Sequence, residues 1–267
     1  MRFKLTVEYA GTRYSGWQAQ KNARTVQGEL ARAITEAAGV RPLELYGSGR
    51  TDAGVHALAQ VAHLDLDTNL PPDTLRRRIN DMLPADINVL RIEGVRHRFH
   101  ARHDAVARSY TYQISRRRTA FAKAFVWWVK DDLDLASMRA AAARFVGVHD
   151  FQSFSDDDPE EKSTRVHVDT LDVHEDGDLI LIHIEASHFL WKMVRRLVGV
   201  IVEVGRGGLT SDDAAAMLMP PVARSRVPAR LTAPASGLFL ERVYYPGDPR
   251  DVPVQSPIVL PRYTPTS

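Results

Sequence analysis

The order of strand-like and helix-like segments constrains the fold of this chain more than any other feature of its sequence. Residues 3–9 alternate apolar and polar side chains, as a half-buried strand does. A helix is predicted at 26–38, between the capping residue Thr25 and Gly39. The first half then continues with strands at 44–46 and 59–66, a helix at 71–82 and a strand at 87–95.

The second half of the chain repeats this order of elements with insertions. Strands are predicted at 105–115, 166–174, 179–186 and 238–244, and helices at 133–145, 189–204 and, capped by Ser211, 212–219. The tetrapeptide Glu175-Asp176-Gly177-Asp178 is a strong signal for a hairpin turn. Because strands and helices mix without strict alternation, the pattern predicts an α+β fold.

The repeated order also predicts the organisation of the chain. We expect two similar halves of mixed, largely antiparallel sheet, with helices packed on one side and an active-site cleft between the halves. The N-terminal half is predicted at 1–103 and the C-terminal half at 104–245. Residues 246–267 contain several prolines and few apolar clusters, which indicates an extended tail.

The absence of cysteine narrows the possible chemistry. A chain of 267 residues without cysteine cannot use disulfides, thiolate catalysis, cysteine zinc sites or iron–sulfur clusters, and it fits a reducing compartment. No apolar signal core precedes the first strand, and no segment approaches the roughly 18 apolar residues of a membrane helix. We therefore predict a cytoplasmic protein.

The formal net charge is only +2, so the placement of charge matters more than its balance. Basic residues gather in five runs, at 76–78, 96–103, 116–118, 195–196 and 224–230. Each run alone is most simply a solvated face. Several runs that converge on one cleft would instead form a track for RNA.

Three further groups have mainly structural interpretations. His97, His100 and His103 are spaced like metal ligands, but the arginines among them favour an RNA-facing surface. The acidic run 156–158 lacks the glycine and terminal glutamate of a calcium loop and is predicted to be a mobile acidic loop. Trp127-Trp128 is predicted to pack in the core, with stacking on a base as the alternative.

The stretch from Gly47 to Ala57 carries the most chemical information. Its three glycines allow sharp turns and close approach to a ligand, and Arg50 and Asp52, two residues apart, project to the same side of an extended stretch. It is neither a Walker A loop nor a dinucleotide fingerprint, because the required residues and spacings are missing. From spacing alone, a functional loop and a turn held by an Arg–Asp salt bridge are both open.

The string Gly-Arg-Thr-Asp-Ala-Gly-Val-His-Ala at 49–57 resembles the active-site motif of the TruA family of tRNA pseudouridine synthases. Further segments resemble this family in the same order along residues 1–245. They are Tyr9 to Thr12, Tyr14 to Gln18, Thr25 to Gln27, Arg108 to Tyr112, His149 to Phe151 with Phe154, Phe189-Leu190 with Met193 to Arg195, and Ala233-Pro234 with Gly237-Leu238.

The resemblance implies that the chain converts uridine to pseudouridine at positions 38, 39 and 40 in the anticodon stem-loop of tRNA, without cofactor or metal. Asp52 is the implied catalytic carboxylate, acting as a nucleophile or as a base on the sugar. Arg195 is the implied partner that keeps Asp52 ionised, while Arg50 helps to flip the base or holds a phosphate. Tyr110 stacks on the flipped base.

Phe189 and Leu190 are implied walls of the uracil pocket, although a core role for both is an alternative. The resemblance further implies a homodimer in which both subunits hold one tRNA. Departures at Ser187-His188 and at 222–231 keep open a related synthase with a different RNA target. A noncatalytic RNA-binding protein is the alternative from another class, which the set of Arg50, Asp52 and Tyr110 disfavours.

Overall fold

The computed structural model describes residues 1–159, 161, 163–219 and 226–260. The chain divides into two compact units. The first contains Met1–Ser109 and Phe239–Asp251, and the second contains Tyr110–Leu238 and the chain from Val252 onward. Part of the basic run at 224–230 and the last seven residues of the predicted tail lie outside the described residues.

The first unit combines a sheet with two helices. Its elements are β1 (Arg2–Tyr9), α1 (Val26–Ala38), β2 (Glu44–Gly47), β3 (His56–Asp65), α2 (Pro72–Met82) and β4 (Ile87–Gly94). Strand β1 lies between β4 and β3 and is antiparallel to both, and β2 pairs antiparallel with β3. The last strand of the chain, β10 (Leu238–Tyr244), pairs in parallel with the start of β3.

The predicted periodicities explain this unit. Alternate residues of β1 are buried, which places Phe3, Leu5 and Val7 in the core. Helix α1 begins and ends where its caps predict. The Thr25 hydroxyl accepts the Gly28 N–H at 3.3 Å, and Gly39 has a left-handed conformation with φ of 73°.

The second unit repeats the mixture of strands and helices. Its elements are β5 (Ala107–Ser115, which begins in the first unit), β6 (Trp127–Trp128), α3 (Leu135–Ala143), β7 (Gly147–Asp150), β8 (Arg165–Asp176), β9 (Leu179–Ala186), α4 (Met193–Gly205), α5 (Ser211–Ala216) and α6 (Val227–Arg230). The strand order is β5-β9-β8-β7, and β6 pairs in parallel with β5. The antiparallel β8–β9 hairpin turns at Gly177-Asp178, as predicted. The α+β class with largely antiparallel pairing is therefore confirmed.

Two predicted helix starts are wrong. Helix α4 begins at Met193 instead of Phe189, because Lys192 takes a left-handed conformation with φ of 63° that a continuous helix cannot contain. Helix α5 is capped by Thr210 instead of Ser211. The Thr210 hydroxyl accepts the Asp213 N–H, and the Asp213 carboxylate accepts the Thr210 N–H, which forms a capping box.

The prediction that Trp127-Trp128 packs in the core also needs correction. Trp128 is 42% exposed and does not pack in the core. From Val252 the chain belongs to the second unit, where Leu260 joins a buried cluster with Ala122, Val126 and Leu181. In the described part of the chain, no helix combines the length and apolar character that crossing a membrane requires.

Candidate active site

The loop that carries Arg50 and Asp52 joins β2 to β3 in the first unit. Backbone hydrogen bonds hold it at three points: the Ser48 N–H donates to Val61 O at 2.7 Å, the Trp17 N–H donates to Thr51 O at 3.1 Å, and the Gly54 N–H donates to Tyr14 O at 3.3 Å. Asp52 is half-buried and Arg50 is exposed. The backbone itself therefore fixes the bend at these three points.

The opening segment of the chain packs directly on this loop. A Cβ atom at Gly11 would lie 1.9 Å from Val55 O, and one at Gly16 would lie 2.5 Å from Thr51 O. Only glycine allows such close approach of two backbones. The Tyr9 hydroxyl adds a hydrogen bond of 2.8 Å to the Thr51 hydroxyl. The glycines in the Tyr9 to Gln18 segment thus shape the bend that carries Asp52.

A buried glutamine in β3 supports the loop through hydrogen bonds, and the sequence patterns did not predict this role. Gln60 is fully buried in β3. Its Oε1 accepts the Ser48 hydroxyl at 2.8 Å, and its Nε2 donates to Gly49 O at 3.2 Å. A buried amide requires such partners. The signal that could have found Gln60 is its position as a polar residue within the apolar run of β3.

Arg50 is held by another residue of the matched motifs. Its Nε donates to Gln18 Oε1 at 3.0 Å. Arg50 and Asp52 both belong to the described chain, and no ion pair joins them. The salt bridge that a purely structural turn would use is therefore not formed, and much of the Arg50 fork faces solvent.

The other four predicted site residues lie in the second unit. Tyr110, in β5, and Phe189, before α4, are both half-buried and meet edge to face, with ring centroids 5.0 Å apart. Leu190 is 4% exposed and packs in the core. The structure thus brings Tyr110 and Phe189 together into one aromatic corner.

Arg195 is fixed in the first turn of α4. Its Nε donates to Ala233 O at 2.7 Å, and the Ala233 N–H donates to Arg195 O at 3.0 Å. Nearby, the buried Tyr112 hydroxyl donates to Pro234 O at 2.8 Å. Burial raises the pKa of Tyr112 well above its ordinary value, although the positive charge of Arg195 opposes this shift. Tyr112 therefore stays neutral and structural at physiological pH.

The acidic run before β8 is not a mobile loop at its first two residues, which corrects the prediction. The Asp156 carboxylate accepts hydrogen bonds from Lys192 Nζ, at 2.8 Å, and from the buried Arg196 guanidinium. The Asp157 carboxylate accepts the Trp191 N–H at 2.9 Å. Burial works to raise the pKa of Asp156, but the hydrogen bonds from Lys192 and Arg196 outweigh it and hold the pKa below its usual value. These contacts tie down the start of α4.

His100, the middle of the three histidines with metal-like spacing, has other partners. His100 Nδ1 accepts the N–H groups of Arg102 and His103 at 3.1 and 3.2 Å. Its ring packs against that of the buried His63, with ring centroids 4.7 Å apart. Burial lowers the pKa of His100, and the neighbouring His103 and His63 lower it further. Within the residues that the structure describes, no group of three or more potential ligands is arranged to hold a metal ion.

Comparison with known proteins defines the class of this α+β chain. A family model described as tRNA pseudouridine synthase matches residues 5–104 and 141–246, which places the chain among RNA-modifying isomerases. Curated relatives named tRNA pseudouridine synthase A are 44% identical in Bradyrhizobium sp. and 45% identical in Rhodopseudomonas palustris, each over 91% of this chain and 99% of the relative. The chain belongs to the tRNA pseudouridine synthase family, and the predicted family is confirmed.

Two further matches complete the comparison. A tRNA pseudouridine synthase A from Paramagnetospirillum magneticum is 43% identical over 91% of this chain and 95% of the relative. A solved structure described as a Cbf5-Nop10-Gar1 complex covers 74% of this chain and 54% of its own, with 11% identity and a TM-score of 0.33. That structural likeness is too low to support a conclusion.

Proposed function

We propose that this chain isomerises uridine to pseudouridine at positions 38, 39 and 40 in the anticodon stem-loop of tRNA, with Asp52 as the catalytic carboxylate. One observation carries the proposal. The unbroken family string at 49–57 lies in a bend fixed by backbone hydrogen bonds, with Asp52 half-buried at its centre. A carboxylate held in this way is preorganised for reaction.

The reaction balances without an added reactant. The bond between N1 of uracil and C1′ of ribose breaks, the base turns, and C5 bonds to the same C1′. C5 then loses its proton, and N1 ends with one. The uridine must first leave its stack, which costs a few kcal/mol and is easiest in a loop or weakened stem. Asp52 serves this exchange as nucleophile or as base on the sugar.

The remaining site residues are proposed to hold the flipped nucleotide. Tyr110 stacks on the uracil, and its edge-to-face contact with Phe189 would keep the ring oriented. Arg195, already fixed to Ala233, is proposed to keep Asp52 ionised. Leu190 supports the apolar wall. Arg50, exposed and with a planar fork, is proposed to bind a phosphate or to help base flipping.

We also propose that the enzyme is a cytoplasmic homodimer in which both subunits hold one tRNA. The family resemblance supports dimerisation, and the absence of cysteine fits a reducing compartment. Sedimentation equilibrium of the full chain tests the assembly. A mass of one subunit, with and without tRNA, would contradict it.

Release of tritium from tRNA that carries 5-tritiated uridine tests the proposed reaction, because only isomerisation frees this label. We expect the wild-type chain to release tritium and the Asp52→Asn variant to release none while still binding tRNA. Binding without release by the wild type would favour a noncatalytic RNA-binding protein. Release by the variant at the wild-type rate would refute the role of Asp52.

Another experiment distinguishes the proposed enzyme from a related synthase with a different RNA target. Pseudouridines are mapped in the RNA of a strain that lacks this chain. Loss confined to positions 38–40 of tRNA supports the proposal. Loss at other tRNA positions, or in another RNA, would favour the alternative that the departures at Ser187-His188 and 222–231 kept open.

A further inference from the structure

The segment that follows β4 in the first unit presents three exposed arginines. We call residues 96–103 the basic loop. Arg96, Arg98 and Arg102 are all exposed, and none of them has a carboxylate partner in the part of the chain that the structure describes. The basic run at 116–118 differs in this respect. Arg116 and Arg117, for example, are paired with Glu175 and Asp178 at 2.7 and 2.6 Å.

The basic loop is rigid although it contains no helix or strand. Arg2 Nη1 donates to Phe99 O at 2.8 Å, and the Tyr245 hydroxyl donates to Ala101 O at 2.7 Å. The Ala101 N–H in turn donates to the buried His63 Nδ1 at 3.1 Å. Because these polar groups of its backbone are already bound, the loop loses little conformational entropy when a ligand binds.

One arginine connects the basic loop to the loop of Asp52. Arg108 Nη2 donates to Arg102 O at 2.9 Å and to Ser48 O at 3.2 Å. Since a single nitrogen atom contacts both carbonyl oxygens, the two loops are direct neighbours. Ser48 precedes Arg50 by two residues, so the basic loop lies beside the loop that carries the exposed Arg50.

Two carboxylates near the basic loop have other hydrogen-bond partners. Oδ2 of Asp104, which directly follows the loop, accepts the His100 N–H at 2.9 Å. Asp65 is engaged by the guanidinium of Arg2 at 2.7 and 2.6 Å. Unpaired guanidinium groups on a preorganised backbone fit phosphate oxygens, which they bind with two parallel hydrogen bonds.

We infer that the basic loop binds consecutive phosphates of the RNA strand that continues from the flipped uridine. This inference rests on the proposed function, because it takes the loop of Asp52 as the place where the uridine reacts. The contacts are to the backbone, so they position the RNA and carry no sequence information. The loop thereby sets how far the bound strand extends from the reacting nucleotide.

The salt dependence of tRNA binding tests this inference. The probe is an unmodified tRNA transcript, and all proteins carry Asp52→Asn so that turnover does not disturb binding. The test variant adds Arg98→Gln and Arg102→Gln. The matched control adds Arg77→Gln and Arg78→Gln, two exposed arginines of α2 in the same unit.

We expect the test variant to lower the slope of log Kd against log salt by about two, since each lost phosphate contact removes about one counterion. Its affinity at low salt should fall at least tenfold, while the control stays within about twofold of its parent. Equal effects of the two variants, or an unchanged slope in the test variant, would overturn the inference. Tritium release by the otherwise wild-type chain is scored separately, so failure of the proposed function is recognised independently.

Discussion

At the residue scale, backbone hydrogen bonds and the buried Gln60 hold the loop of Asp52. The backbone N–H groups of Ser48, Trp17 and Gly54 donate hydrogen bonds that fix the loop, and Gln60 of β3 donates another to Gly49 O. Replacing the carboxylate with an amide should therefore leave the bend in place. The Asp52→Asn variant thus separates chemistry from folding.

The aromatic corner makes a second prediction at this scale. Tyr110→Ala should raise KM for tRNA about tenfold or more, because stacking of a base on an aromatic ring is worth about 1–3 kcal/mol. Tyr110→Phe keeps the ring and its contact with Phe189, so its KM for tRNA should stay nearer to the wild-type value. Steady-state tritium release measures both variants. Equal KM values for Ala and Phe would show that the ring does not stack on the substrate.

At the element scale, the start of α4 depends on the acidic run before β8. Asp156→Ala would leave the guanidinium of Arg196, which is 3% exposed, without its carboxylate. Removing one partner of a buried ion pair costs about 3–5 kcal/mol, and partial exposure of Asp156 favours the lower end. We expect a loss of about 3 kcal/mol in the free energy of unfolding, measured with urea.

Asp212→Ala is the matched control for this variant. Asp212 pairs with Arg144 at 2.7 Å, but both side chains are largely exposed. Such surface pairs contribute about 0–1 kcal/mol. If the two substitutions shift the urea midpoint equally, the ion pair between Asp156 and Arg196 of α4 does not stabilise the fold.

Elements defined by local signals were predictable from sequence, and those defined by distant contacts were not. The bounds of α1 follow from Thr25 and Gly39, which adjoin it. The start of α4 does not, because no capping side chain marks it: Lys192 is left-handed, and its side chain bonds to Asp156, 36 residues away. The family string likewise located Arg50 and Asp52, whereas the supporting Gln60 depends on tertiary packing.

At the scale of the whole molecule, the last strand returns to the first unit. Phe239 of β10 pairs with His56 of β3 in parallel, although most of the second unit lies between them in sequence. The strand itself was predicted, but its partner was not, since alternation defines a strand without its neighbour. The first unit is therefore complete only after the chain has been synthesised as far as β10.

Acid stability gives a prediction at this scale. Hydrogen bonds from Arg2 lower the pKa of Asp65 and outweigh its burial. With a folded pKa below the unfolded value of about 3.9, the pair stabilises the protein fully above about pH 5, and this stabilisation is lost as pH falls through the folded pKa. Asp65→Asn should lower the free energy of unfolding at pH 7 by about 1.5–3 kcal/mol, the range for hydrogen bonds to charged groups.

This difference between wild type and Asp65→Asn should shrink as pH falls below about 4, because protonation removes the same charge. Urea unfolding at pH 7 and pH 3.5 measures it. Asp73→Asn is the control, since that side chain is 81% exposed and 3.7 Å from Arg76. A difference that does not change with pH would show that the charge of Asp65 does not contribute.

Position-specific mapping of pseudouridine in one purified reaction tests both the role of Asp52 and the positions that are modified. An unmodified tRNA transcript is incubated with wild-type chain or with Asp52→Asn, and each uridine is then examined by chemical labelling and primer extension. The proposed function predicts pseudouridine at positions 38–40 with the wild type and none with the variant. Pseudouridine formed equally by both proteins, or by neither, would contradict it.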